Sequence, residues 1–226
     1  MNIEKLKLNV SSFLEKSKKY LHKNKKQILI NYIILIGVFT IFLVIDQLTK
    51  QYLWNHPVDV FGQHSETSAE SIWPANKVYG GSEHGNGIIG IRNVWHKGVT
   101  VLPESWDVIA AVQALSIILA IVVLIIPIFL KSKYAIYYAL GLGILLAGDL
   151  GNCIDRFRFL GYVKDIFYVP FWENWKGQTV GTFNYADLSI FIAIVILLVT
   201  TIVNVITEYI KDKKKKKNQI NSELQN

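Results

Sequence analysis

Two aspartates, Asp165 and Asp187, lie in compact polar clusters beside long apolar stretches that otherwise carry little charge. Asp165 closes Val163-Lys164-Asp165, shortly after Gly151-Asn152-Cys153-Ile154-Asp155-Arg156; Asp187 closes Phe183-Asn184-Tyr185-Ala186-Asp187. A carboxylate at the edge of hydrocarbon is costly to keep ionised, so a pair of them there points to function. Two carboxyls sharing one site are also what acid–base hydrolysis of a peptide bond requires. Other polar residues have helical spacing. Asp46 and Lys50 stand at i, i+4, and Asn152, Asp155 and Arg156 at i, i+3, i+4, each set on one helix face. Asn184 precedes Asp187 by three residues, so its amide can reach that carboxylate at a helix N-terminus, where N–H groups and the dipole favour an anion. This placement predicts that Asp187 ionises more readily than Asp165. Each cluster alone has a structural explanation: an ion pair for Asp46–Lys50, a clamp for Asp155–Arg156, a helix cap for Asn184.

The elements that must position these groups are membrane-length helices. The 226-residue chain is 51% hydrophobic and only 18% charged, too apolar and too rarely interrupted for an ordinary soluble domain. Four stretches reach spanning length, at residues 28–45, 108–130, 134–154 and 186–206. The first, about 27 Å long as a helix, starts late and lacks a small-residue cleavage site, so it reads as a permanent helix rather than a signal peptide. Residues 1–27 hold eight lysines against Glu4 and Glu15, residues 213–217 are all lysine, and Lys131 and Lys133 occupy the short turn between spans two and three. Residues 53–106 carry only Lys77, Arg92 and Lys97 against five acids. The positive-inside rule then places both termini and the short turn in the cytoplasm, and the loops at 53–106 and 157–182 outside. On that topology every polar cluster named above falls on the outer side. Scattered structural polars would not favour one face so consistently.

The same pattern excludes other readings. The net charge of +7 flanks spans and lacks interleaved aromatics, which fits anionic lipid headgroups better than nucleic acid. The single Cys153 rules out an intrachain disulfide and any CxxC site, and its apolar surroundings predict an inert buried thiol. The five histidines lack metal-ligand spacing, and neither HExxH nor GxSxG occurs. Residues 1–27, lysine-rich with scattered apolar positions, read equally as a helix on the inner leaflet or as a solvated arm; the tail from Lys211 reads as disordered. Residues 58–90 read as irregular, residues 88–102 as two or three short strands, and residues 157–182 as an aromatic loop forming an interfacial belt or a lid.

Taken together, the motifs resemble the lipoprotein signal peptidase (signal peptidase II) family. The resemblance rests on Asp46-Gln47-x-x-Lys50, on Gly148-x-x-Gly151-Asn152-x-x-Asp155-Arg156 followed by Gly161-x-Val163-x-Asp165, and on Phe183-Asn184-x-Ala186-Asp187, in the family's order across residues 28–206. It implies a bacterial membrane aspartic endopeptidase that removes the signal peptide from diacylglyceryl-modified prolipoproteins, cutting before the lipidated cysteine at the extracytoplasmic face of the cell membrane. Asp165 and Asp187 match the catalytic pair. Asp46, Lys50, His96, Gly98, Asn152, Asp155, Arg156, Asn184 and Ala186 match supporting or substrate-holding positions. Four features depart from the family's pattern: Asp149 after Gly148 where a second glycine is usual, one extra residue between Arg156 and Asp165, Lys164 at a usually apolar position, and His96 in place of an asparagine. The stretch 58–90 looks like an insertion. Lys164, as a neighbouring cation, is expected to lower the pKa of Asp165.

The expected architecture is therefore a membrane all-α fold of four transmembrane helices with cytoplasmic termini, a small extracytoplasmic β-rich segment and an aromatic outer loop. Its parts are a basic arm (1–27), the membrane peptidase domain (28–206) and a basic tail (207–226). No cofactor, metal or nucleic acid is implied; the expected partners are lipidated prolipoproteins and membrane lipids, and the expected state is a monomer. Two alternatives stay open: a non-catalytic lipoprotein-binding relative, and a small proton- or ion-coupled transporter using Asp46, Asp149, Asp155 and Arg156, whose relay would have to place carboxyls at mid-depth.

Overall fold

The computed structural model describes residues 3–54, 72–73, 87–97, 108–178 and 181–223. Helix α1 runs Ile3–Tyr52, strand β1 Gly90–Lys97, helix α2 Ile109–Ile125, helix α3 Ala135–Arg158, strand β2 Tyr162–Tyr168, helix α4 Pro170–Lys176 and helix α5 Tyr185–Glu223. A 3₁₀ turn, Ile126–Ile128, with Pro127 at its start, ends α2. Among the described residues, four segments are long and apolar enough to cross a membrane, in α1, in α2 together with its 3₁₀ turn, in α3 and in α5.

Helix α3 is the hub. Sixty-one per cent of its most apolar stretch is buried, against 11% for each of the other three. The outer helices instead expose large apolar side chains such as Ile33, Leu115, Phe191 and Leu198, the surface that hydrocarbon rather than water covers. In lipid, helices gain little from burying apolar area against one another, so close packing of small residues carries the association. Gly143 shows this on the α1 side: a Cβ there would lie 2.5 Å from the backbone oxygen of Leu35. Gly148 does the same on the α5 side, with Ala186 O at 2.5 Å. Leu35, Val123, Leu142 and Leu146 fill the space between α1, α2 and α3.

Polar side chains hold the turn between α2 and α3. The buried amide of Asn31 donates to Pro127 O (2.9 Å) and Leu130 O (3.1 Å), satisfying carbonyls that a helix end leaves open. Tyr20 donates to Ile128 O at 3.2 Å, and Lys131 lies 3.7 Å above the Tyr20 ring. The lysine-bearing turn and the lysine-rich half of α1 therefore share one end of the bundle.

Several expectations change. From Ile3 onward, residues 3–27 are helical and run into the first span without a break, all within α1. The tail predicted to be disordered from Lys211 is helical through Glu223, because lysine and glutamine are good helix formers and no Gly or Pro interrupts the helix that the span has already nucleated. Among the described residues, the β segment predicted at 88–102 contains β1, whose partner is β2, inside the segment predicted to be an aromatic loop. The pairing is antiparallel, Val94 opposite Asp165 and Trp95 opposite Lys164, with an irregularity between Ile91 and Val94. Residues 98–107, which include the rest of that predicted β segment, and nearly all of the irregular stretch 58–90 lie outside the described residues. The aromatic segment also contains α4. Its inner face is pinned to β1 by Arg92 and Glu173, paired at 2.6 and 3.3 Å and both almost fully buried, with the guanidinium 4.3 Å over the Tyr168 ring. Phe171, Trp172 and Trp175 face outward.

Two stability outcomes follow. Gly143→Leu is expected to lower the thermal midpoint in micelles, at a cost of about 1–3 kcal/mol from overpacking, whereas Gly37→Leu, with nothing within 4 Å of its Cβ position, leaves it near wild type. Arg92→Met is expected to cost about 3–5 kcal/mol by leaving a buried carboxylate without its cation, while Arg92→Met combined with Glu173→Met recovers most of the loss. Equal midpoints for the single and double variants would exclude this account of how α4 is held.

Candidate active site

The last two turns of α1, the last turns of α3, strand β2 and the first turn of α5 converge on one polar layer. Its centre is Lys50, 3% exposed, whose ammonium lies 3.1 Å from both Asp46 and Asp155. The same Nζ donates to Asn152 Oδ1 at 3.1 Å and to Gly151 O at 3.4 Å. Asp46 is 1% and Asp155 2% exposed. Burying these charges is tolerable because each is paired and hydrogen-bonded. Gly151 makes the arrangement fit: a Cβ there would lie 2.6 Å from Asp46 Oδ2. The i, i+4 pairing of Asp46 with Lys50 is as expected. Asp155 differs, since its carboxylate bridges to Lys50 on another helix and also accepts the Lys164 backbone N–H at 3.2 Å.

Helix α5 enters this layer N-terminus first. Asn184 caps it: the Asp187 N–H donates to Asn184 Oδ1 (3.1 Å), and the Asn184 N–H donates to Asp187 Oδ2 (3.0 Å). This is the reciprocal geometry of a capping box. The adjacent N–H, that of Ala186, donates to Asp46 Oδ1 at 2.9 Å, so carboxylates from α1 and α5 both use the open donors of one helix start.

The two aspartates are joined through amides. The Asn184 side chain donates from Nδ2 to Asp165 Oδ1 (2.8 Å) and to Asn152 Oδ1 (3.0 Å). Asn152 donates in turn to Asp187 Oδ1 at 2.8 Å. Asn184 is fully buried and Asp165 is 5% exposed, while Asp187 is partly open. A carboxyl pair held by side-chain amides, with one member reachable from outside, can act on a water molecule and a carbonyl placed beside it.

Of the predicted site residues, Asp46, Lys50, Asn152, Asp155, Asp165, Asn184, Ala186 and Asp187 belong to this one network. Arg156 lies in the last turn of α3. His96 lies on β1 opposite Val163, and its Nε2 is buried with no hydrogen-bond partner among the described residues. Gly98 lies outside the described residues. Cys153 is buried and reduced, as expected. Lys164 and Asp165 are neighbours in sequence, but successive strand residues point to opposite faces: Asp165 meets Asn184, whereas Lys164 turns toward Trp54, Trp95 and Phe159. Sequence reasoning does not reach that aromatic box or the Arg92–Glu173 pair, because both join residues far apart in the chain with no periodic signal.

A model of the signal peptidase (SPase) II family matches residues 38–203, well over half of the chain. A lipoprotein signal peptidase of Enterococcus faecalis is 28% identical over 103 residues, which cover 44% of this chain and 60% of that protein. One from Buchnera aphidicola is 26% identical over 167 residues, 74% of this chain and 92% of that protein. A solved structure described as a bacterial membrane enzyme superposes with a TM-score of 0.54 at 20% identity, over 76% of this chain and 88% of that one, a likeness of fold. With four spanning-length helices, a polar layer at their shared end and a family match running from the first of them into the last, this multi-pass membrane chain belongs to the signal peptidase (SPase) II family.

Proposed function

We propose that this protein is an aspartic endopeptidase that removes signal peptides from lipid-modified prolipoproteins, with Asp165 and Asp187 as its catalytic pair. The observation that carries this reading is Asn184. One amide side chain bonds Asp165, while the same residue forms the capping box with Asp187. The two carboxyls are thereby held in a common network although they come from different elements. Family membership supports a peptidase, and the relatives' names support prolipoprotein substrates.

In this reading one carboxylate takes a proton from a water molecule, and the other carboxyl, protonated, donates a hydrogen bond to the scissile carbonyl. The tetrahedral intermediate collapses as a proton passes to the leaving amine. Asp46, Lys50, Asn152 and Asp155 keep the supporting charge paired and hold the end of α3 against the start of α5. Arg156, His96 and Gly98 are assigned to substrate holding.

The lysine distribution supports cytoplasmic ends for α1 and α5 and for the α2–α3 turn, hence a catalytic layer at the outer face of the bacterial cell membrane. Acyl chains on the substrate then stay in hydrocarbon while the peptide approaches the layer sideways. The exposed Phe171, Trp172 and Trp175 on α4 suit the membrane–water boundary, where amphipathic rings are favoured.

The test is cleavage of a diacylglyceryl-modified precursor by the purified protein in micelles, with the unlipidated precursor beside it. Cleavage before the lipidated cysteine is expected from the wild type. Asp165→Asn and Asp187→Asn are each expected to lower turnover by at least ~10²–10⁴-fold with little change in thermal midpoint. Near-normal turnover in either variant would rule out the pair. Tight binding of the lipidated precursor without cleavage by the wild type would indicate a binding protein instead.

A further inference from the structure

Leu160 occupies a strained backbone position that the catalytic layer does not require. Its φ is +53°, in the left-handed region where glycine is at ease and a side chain with a Cβ is not. The leucine side chain is 76% exposed, so packing within the protein does little to offset that strain. Phe157, in the last turn of α3, is likewise 61% exposed. Phe159 between them behaves differently and turns inward onto Trp95, with ring centres 5.1 Å apart. Phe157 and Leu160 thus form a small apolar tip where α3 turns into β2.

The place of this tip in the fold points to what covers it. Leu160 lies two residues beyond the spanning-length segment Ala135–Arg158. Its neighbour Gly161 packs on Ile109, the first residue of the spanning-length segment in α2, and a Cβ at Gly161 would collide with the Ile109 side chain. The tip therefore stands where two spans leave hydrocarbon. Its charges are all of one sign: residues 156–164 carry Arg156, Arg158 and Lys164 and no acid. Arg158 is exposed beside the tip, and exposed Lys97 lies 5.6 Å over the ring of Tyr162, at the near end of β2. Apolar side chains rimmed by cations match a phospholipid surface, with acyl chains below and phosphates above. The other end of the same strand has a matching feature. Strand β2 runs from Tyr162 to Tyr168 and leads into α4, whose Phe171, Trp172 and Trp175 are exposed. Asp165 is the middle residue of that strand, and seven extended residues separate the two apolar ends by roughly 23 Å.

We propose that the Phe157–Leu160 tip is a membrane foot, seated in bilayer lipid at the end of the bundle that carries the polar layer. With α4 at the far end, it holds β2 level with the membrane surface and so fixes the depth of Asp165. Lipid burial of an apolar side chain is the gain that glycine at position 160 would lack, and it accounts for a leucine at positive φ. Docking of the foot does not depend on the peptidase reading; its consequence for cleavage rests on that reading.

The test uses the full chain in nanodiscs of phosphatidylcholine and phosphatidylglycerol. A fluorophore is attached at Leu160→Cys, with Cys153→Ala removing the native thiol. Lipids carrying a quencher near the head of the acyl chain are expected to quench it, and aqueous iodide is not. The same fluorophore at Lys217→Cys, on the exposed end of α5, is expected to show the reverse. Quenching of the Leu160→Cys label by iodide alone overturns the foot. Lipid quenching that appears only after lipidated precursor is added also overturns it, because the tip would then cover substrate. Leu160→Gly separates docking from packing. It relieves the strained φ, so its thermal midpoint in micelles is expected to equal or exceed that of wild type. In nanodiscs its kcat/KM for the lipidated precursor is expected to fall about fivefold, the weight of one partly buried leucine. In micelles, which reshape around the protein, the fall is expected to be smaller, and Leu160→Met is expected to keep the wild-type rate in both. Equal nanodisc rates for wild type and Leu160→Gly overturn the levelling of β2, as does an equal fall in both media. A wild type that cleaves in neither medium overturns the peptidase reading, and the quenching pattern still decides the foot.

Discussion

A buried ammonium must find negative partners, and the placement of Lys50 at the end of α1 imposes that requirement on the whole upper end of the molecule. Its two carboxylate partners lie on different helices, Asp46 on α1 and Asp155 on α3. Asp46 in turn accepts an N–H from the first turn of α5. Three helices are thus fixed in depth relative to one another by interactions that have no substitute in hydrocarbon, where an unpaired charge or donor is heavily penalised. Asn152, which accepts from Lys50 and donates to Asp187, passes that alignment to the candidate catalytic carboxyls.

Such a network needs backbones that approach closely, and glycine provides this along α3. Gly143 and Gly148 let Leu35 of α1 and Ala186 of α5 come within distances that a methyl group would forbid. Gly151 leaves room for the Asp46 carboxylate itself. Packing and chemistry therefore share one helix: the small residues that associate α3 with its neighbours also set the separation across which Lys50 and Asn152 reach.

The two-stranded sheet adds what helices ending at a surface lack, a strand that presents alternate side chains to two environments. One face of β2 offers Asp165 to the amide of Asn184, and the other buries Lys164 among rings. The turn from α3 into β2 runs through Leu160 and Gly161, both with positive φ. That reversal brings the strand back over the helix end, and it carries Asp165 to α5 instead of out into solvent. The Arg92–Glu173 pair then fastens α4 to the far edge of the same sheet.

Much of this architecture is legible in periodicity and local spacing. The four apolar segments announce helices because only continuous apolar runs of that length can span hydrocarbon. Asp46–Lys50 and Asn184–Asp187 are readable as contacts because i, i+4 and i, i+3 spacing sets side-chain proximity within one helix. Helicity beyond Lys211 escapes a reading that weighs charge runs above the helix propensity of lysine. The partner of β1 escapes it too, because strand pairing across more than sixty residues leaves no local trace. Sequence by itself determined which residues are polar at the helix ends and how each is placed on its own element, since those follow from local geometry. Only the tertiary structure decided that Asp155 pairs with Lys50, that Asn184 joins Asp165 to Asp187, and that Lys164 faces away from Asp165, because each depends on how separate helices and a distant strand pair pack against one another.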